Sequence, residues 1–306
     1  MRSGAEASVS IRVADFRLLV GAHEHNGPVP EGDSVYVVAR KLDAALKGRR
    51  LTTGELRVGQ LTGVELSGVT VLEHDTHGKH LLTRFDHGWT LHTHLRMDGS
   101  WTVVRPGRTL PRTLDPDIRV LLAAQDGPTA YGLLIPIVDL VRTDAEHEVI
   151  GHLGPDPLRP DWDPGGAVSR LSADPDLTIS AALLDQRTLA GLGNLWVNEL
   201  CFLRGISPWT PVRDVNLDAL VRLAARALRH SAKVPGAFQV TTGRNRRGQE
   251  HWVAGRAHQP CRRCQTLVQV VAEVTGDPER RRTWWCPTCQ PGPPPPVIPA
   301  AQRAHR

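Results

Sequence analysis

At 306 residues the chain is long enough for two domains and a small module, and 40% hydrophobic with 23% charged residues is ordinary for a globular protein. It has no apolar run of about 18 residues, which argues against a membrane-spanning helix, and residues 1–28 lack the small-residue cleavage pattern of an export signal, so the expected location is the cytoplasm. The net charge of +5 suits a polyanionic partner without requiring one.

Residues 1–29 show no sustained hydrophobic period. At Pro30-Glu31 the pattern changes: Val35, Val38, Leu42 and Leu46 recur at helical spacing and Gly48 ends the run. Proline and an acid in a first turn suit a helix start, and taken alone this segment means no more than that. Residues 51–142 read as successive short strands; in Trp89-Thr90-Leu91-His92-Thr93-His94-Leu95 large apolar and polar side chains mostly alternate after the turn Asp86-His87-Gly88. Such a series predicts an antiparallel sandwich or barrel over 30–150.

The Pro-, Gly- and Asp-rich stretch 151–170 reads as a linker. Helical periodicity returns over 171–240, with two helices either side of Ala190-Gly191-Leu192-Gly193-Asn194 and a third over 216–231. Glycines in that turn let backbone amides face outward toward a phosphate, although alone it is equally a packing corner. Residues 244–286 carry nine arginines against four acids. That basic stretch is a candidate nucleic-acid footprint or a solvated face.

Within 245–290 lie Cys261-x-x-Cys264 and Cys286-x-x-Cys289. Four thiolates in two close pairs can close a tetrahedral shell around one structural Zn²⁺, leaving no position for a reactive water. The β-branched run from Leu267 to Val274, the turn Gly276-Asp277-Pro278 and Thr283-Trp284-Trp285 predict a β-hairpin zinc finger. The fifth cysteine, Cys201, sits in an apolar segment and reads as core. The tail 291–306 is proline-rich and expected to be disordered.

Taken in order, Pro30-Glu31-Gly32, Gly78-Lys79-x-Leu81-Leu82, Leu184-Asp185-Gln186 with Gly191-x-Gly193-Asn194, and Cys286-Pro-x-Cys289-Gln290 resemble the formamidopyrimidine-DNA glycosylase/endonuclease VIII family over about residues 29–290. The resemblance implies an α+β fold, with an N-terminal antiparallel β-sandwich flanked by helices and a C-terminal helix–two-turn–helix domain bearing the zinc finger. It also implies a monomeric, nucleoid-associated base-excision enzyme acting on double-stranded DNA with damaged bases or abasic sites. In that chemistry an N-terminal proline attacks C1′ of a flipped nucleotide, expels the base through an iminium intermediate, and cuts the strand by β,δ-elimination.

The resemblance further assigns Pro30 as nucleophile, Glu31 as the acid that opens the sugar, and Lys79 as a phosphate contact close to the chemistry. It gives Arg96 and Met97 the space left by the extruded base, and Asn194 and Arg281 the flanking phosphates. A proline nitrogen inside a chain is an amide and not a nucleophile. The reading therefore expects residues 1–28 to be a non-native extension and Val29 to mark the true start, its GUG codon being read as Met at initiation. The family commonly reads Pro-Glu-x-Pro-Glu, whereas Asp33 and Ser34 stand in the last two places here. Pro-Glu-Gly is nearer the endonuclease VIII branch, which favours oxidised pyrimidines. The alternatives are an oxidised-purine glycosylase, or a DNA-binding protein that has lost the chemistry because Pro30 is blocked.

Overall fold

The computed structural model describes residues 30–271 and 281–296. The expected extension over 1–28, the turn Gly276-Asp277-Pro278 and the end of the tail lie outside them. The chain divides into two compact units, one ending at His152 and one beginning at Leu153.

The first unit opens with α1 (Gly32–Leu46), whose buried face carries Val35, Ala39, Leu42 and Leu46. Eight strands follow: β1 (Leu51–Leu56), β2 (Val71–His77), β3 (His80–Phe85), β4 (Trp89–His94), β5 (Ser100–Val104), β6 (Ile118–Ala124), β7 (Thr129–Leu133) and β8 (Ile137–Arg142). They form two four-stranded antiparallel sheets, β1-β6-β7-β5 and β2-β3-β4-β8. Leu81, Phe85, Leu91, Leu95, Val120, Leu122 and Ala130 from the two sheets share one core with Leu42 and Leu46 of α1. Each such buried Leu contributes about 1.5–3 kcal/mol by leaving water.

A polar clasp fixes α1 along β2. Asp43 Oδ1 accepts the His74 backbone N–H at 2.7 Å and lies 3.1 Å from His74 Nδ1. Arg40 Nη2 donates to His74 O at 2.6 Å. A short α2 (His147–Ile150) closes the unit, and just before it Glu146 receives both Arg84 Nε and Nη2 at 2.7 Å.

The second unit contains α3 (Pro164–Leu171), α4 (Ile179–Leu184), α5 (Asn194–Arg204) and α6 (Leu217–Lys233), then the hairpin strands β9 (Gln269–Val271) and β10 (Thr283–Trp285). The stretch expected as a linker thus holds a helix: Asp163 accepts the Gly166 N–H at 2.9 Å as N-cap, and Pro164 occupies the first turn. The same Asp-Pro-Gly-Gly composition that reads as loop here serves as a helix start.

The α4–α5 connection is closed by one side chain. Gln186 Nε2 donates to Leu184 O at 2.9 Å and Leu192 O at 2.8 Å, while its Oε1 accepts Gly191 N–H at 3.0 Å. Gly191 has φ +98°, a conformation that needs glycine. Among the described residues no helix is long and apolar enough to cross a membrane.

Candidate active site and nucleic-acid interface

Pro30 stands half-buried immediately ahead of α1. Glu31 is the N-cap in extended backbone and only 1% exposed. Its backbone N–H donates to Ser34 Oγ at 2.9 Å, and that hydroxyl donates to Glu31 O at 2.8 Å. Ser34, the third helical residue, therefore fills the reciprocal half of a capping box, a place usually held by Glu or Gln. Ser34, standing where the family commonly has its second glutamate, caps the helix through a short hydroxyl.

The rise of the two elements places Glu31 along the sheet. From Arg40, which bonds His74, the helix runs back nine residues to Glu31, about 13.5 Å at 1.5 Å each. From His74 the strand runs forward four residues to Gly78, about 13 Å at 3.3 Å each. Gly48 N–H bonds Val71 O, while Arg40 and Asp43 bond His74, so α1 and β2 run in opposite directions and the helix start lies toward the same end as the Gly78-Lys79 turn. Lys79 occupies the two-residue turn between β2 and β3, where His77 pairs with His80 and Gly78 takes φ +57°.

The next turn, from Leu95 to Gly99, joins β4 to β5. Gly99 N–H bonds Leu95 O at 2.8 Å, and a Cβ on Gly99 would meet that oxygen at 2.7 Å, so the turn requires glycine. Arg96 has φ +51°, an uncommon conformation for a non-glycine residue that costs about 1–2 kcal/mol. His94 Nδ1 accepts its N–H at 3.0 Å and helps hold it there. Met97 at the tip is 57% exposed. Burial, and then the charges of Lys79 and Arg96, push His94 down to about 3, so both turns present their cations close to this ring.

In the second unit Asn194 is the first residue of α5. Its Nδ2 donates to Arg282 O at 2.9 Å, and one turn later Asn198 Oδ1 accepts the Trp284 N–H at 2.8 Å. Two asparagines thus staple the helix start to β10 and bring the Arg281-Arg282 segment beside Asn194.

The Sγ atoms of Cys261, Cys264, Cys286 and Cys289 lie within 4.8 Å of one another, with Cys261 to Cys289 at 3.9 Å and Cys264 to Cys286 at 3.4 Å. Four thiolates about 2.3 Å from one tetrahedral ion would stand about 3.8 Å apart, so the donor set and its size fit a metal ion. Each pair sits on a tight turn, with Gln265 N–H on Cys261 O and Gln290 N–H on Cys286 O, both at 2.9 Å. Gln290 also accepts the Cys286 N–H at 2.9 Å and donates to Ile206 O at 3.0 Å, tying the site to the loop after α5. Cys201 is fully buried elsewhere, and burial pushes its thiol up to about 12, as expected of a core residue.

The formamidopyrimidine-DNA glycosylase N-terminal domain model matches residues 29–131, and the helix–two-turn–helix domain model of the same glycosylases matches 153–234. A protein named probable endonuclease 8 2 from Streptomyces coelicolor is 48% identical, over 87% of this chain and 96% of its own. The chain belongs to the formamidopyrimidine-DNA glycosylase/endonuclease VIII family. A DNA-(apurinic or apyrimidinic site) lyase, Nei2, from Mycolicibacterium smegmatis is 40% identical over 86% of this chain and 99% of its own. The solved MutM (Fpg) protein of Thermus thermophilus superposes with a TM-score of 0.68 at 27% identity, covering 87% of this chain and all of that one.

Two further buried polar clusters stand out, one in each unit. Glu199, inside α5 and wholly buried, accepts the backbone N–H groups of Trp252, Val253 and Ala254, each at 2.8 Å, and the Thr241 hydroxyl. The other is a group of histidines on the outward face of β3 and β4. Its sequence signal was the alternation His92-Thr93-His94, which marks a strand and does not show what covers its outward face. His92 is in fact 3% exposed.

Proposed function

We propose that this protein is a bifunctional DNA glycosylase and abasic-site lyase of base excision repair, acting on duplex DNA that carries oxidised bases, pyrimidines favoured. The observation that carries the reading is the buried Glu31 carboxyl beside Pro30, toward the same end of α1 and β2 as the Lys79 turn, in a chain 48% identical to an endonuclease 8. In this reading the Pro30 amine, once free, attacks C1′ while the departing base takes the C1′–N bonding pair. Glu31 delivers a proton to the sugar ring oxygen, and an acid shielded from water suits that task. Lys79 holds a phosphate next to the lesion. Arg96 and Met97 enter the vacated stack, where a flexible apolar wedge can replace base contacts.

In the second unit Asn194 and Arg281 take backbone phosphates, an outward helix start and a guanidinium being suited to that partner. The metal is read as one Zn²⁺, which when bound cross-links the two cysteine turns and holds the arginine-bearing hairpin. The preference for pyrimidines rests on Gly32 and on the names of the relatives.

The direct test is release of base from duplexes with one oxidised pyrimidine or one 8-oxoguanine, using protein whose chain begins at Pro30. Release from the pyrimidine duplex at least about tenfold faster is expected, and the reverse order would reassign the substrate class. Glu31→Gln is expected to slow base release by about 10²–10⁴-fold while sparing cleavage of a preformed abasic site. Equal slowing of both steps would remove Glu31 from the excision role. Cys264→Ser should lower bound zinc, measured by elemental analysis, well below one per chain and weaken duplex binding; unchanged binding would count against the finger as a DNA clamp.

A further inference from the structure

The face of the β2-β3-β4-β8 sheet turned away from the core is unusually polar and yet covered. Asp139 on β8 pairs with His92 on β4, and His80 on β3 pairs with His94, so all four project from this one face. Asp139 and His92 are each 3% exposed. Asp139 Oδ2 lies 2.8 Å from His92 Nδ1, and His92 Nε2 lies 2.7 Å from His80 Nδ1.

The direction of donation to Asp139 follows from the chemistry. An ionised carboxylate only accepts, so His92 Nδ1 carries the proton. His92 Nε2 and His80 Nδ1 then share one proton between them. The ring centroids stand 5.0 Å apart, so the 2.7 Å N···N contact lies nearly along the line joining them.

His80 is the first residue after the Lys79 turn. Its ring meets that of His94 edge-on with centroids 4.8 Å apart, and His94 in turn accepts from Arg96. One buried carboxylate is thereby connected through two imidazoles to both turns that the proposed function hands to DNA. The groups facing His80 are His77, His92, His94 and His152, so a cationic His80 would be surrounded by rings able to share its sign; burial and those neighbours hold it below its ordinary value. The arrangement fits a neutral ring of fixed orientation.

We infer that Asp139, His92 and His80 form a positioning relay that fixes the Lys79 turn for capture of a DNA phosphate. The relay rests on the reading of Lys79 as a phosphate contact. It acts through Lys79 and does not itself touch the substrate.

The test is the salt dependence of binding to a duplex carrying a tetrahydrofuran abasic-site analogue. Loss of one phosphate contact lowers the slope of log K against log salt by about 0.9. K79A is expected to lose that increment and to bind about five- to tenfold more weakly. H80L, which cannot hydrogen-bond His92, should lose the same increment, whereas H80Q, whose amide can donate or accept, should retain it. K79A/H80L should bind no more weakly than K79A, because a residue acting only through Lys79 has nothing left to position.

A merely structural histidine would lower the melting temperature and leave the slope unchanged. H80L with a wild-type slope, or a double variant weakened by the product of the single effects, overturns the relay while K79A still supports the Lys79 contact. K79A with an unchanged slope overturns both. Should H80L not fold, H80A carries the same comparison.

Discussion

Protein begun with Met in place of Val29, and processed so that Pro30 leads the chain, is expected to be trapped by borohydride on a duplex containing one abasic site. Protein begun at Met1 is expected to give no adduct. The reason lies in the nitrogen. Within a peptide bond its lone pair is delocalised into the carbonyl, whereas a free pyrrolidine is a strong secondary-amine nucleophile. Loss of a covalent nucleophile lowers rates on the order of 10⁴-fold or more, so the difference between the two proteins should be all or nothing on a gel. Equal trapping of both would place the covalent chemistry on a side-chain amine. Tight binding with no adduct from either would favour a DNA-binding scaffold without chemistry.

The N-terminal family model matches from residue 29, one position before this proline. Pro30 is half-buried and Glu31 lies beneath the surface at the head of α1. In the proposed chemistry that pairing would put the acid and the amine on consecutive residues immediately ahead of α1.

Much of this was legible in the sequence because each motif is a local device. Two Cys-x-x-Cys pairs can be read without knowing the fold, since each pair closes its own turn and only their meeting is tertiary. The sandwich was legible from alternation, and α5 from the glycines before it. What stayed hidden was long-range and polar. His80, His92 and Asp139 are 12 and 47 residues apart along the chain, and strand alternation alone does not bring them together. The chain after β8 alters that environment, with Glu146 reaching Arg84 and Thr90 and His152 packing edge-on to His80. Periodicity reports which side of a strand a residue occupies and cannot report what later covers that side. The helix at 164–171 was hidden for the opposite reason, because Asp163-Pro164-Gly165-Gly166 carries turn residues that also suit an N-cap and a first turn.

Glu199→Ala is expected to be the most destabilising single change in the second unit. The wild-type carboxylate satisfies three consecutive backbone N–H groups and a threonine hydroxyl at a wholly buried position. Truncation leaves those donors without an acceptor, each unmet buried group costing about 1–3 kcal/mol before relaxation. A net loss of about 3–5 kcal/mol is expected in denaturant unfolding, large against the 5–15 kcal/mol typical of a whole domain. Glu199→Gln keeps one carbonyl oxygen but turns an N–H₂ toward other donors, so about half that loss is expected. The segment held by Glu199 leads from Thr241 to Ala254 and then to Cys261. Its release should also weaken the hold of the cysteine hairpin and the grip on DNA. Borohydride trapping at saturating DNA should survive wherever the variant remains folded, because Pro30 belongs to the other unit. A Glu199→Ala protein as stable as wild type to within about 1 kcal/mol would show that the three amides find other partners, and that this carboxylate is not what fastens the hairpin to the helices.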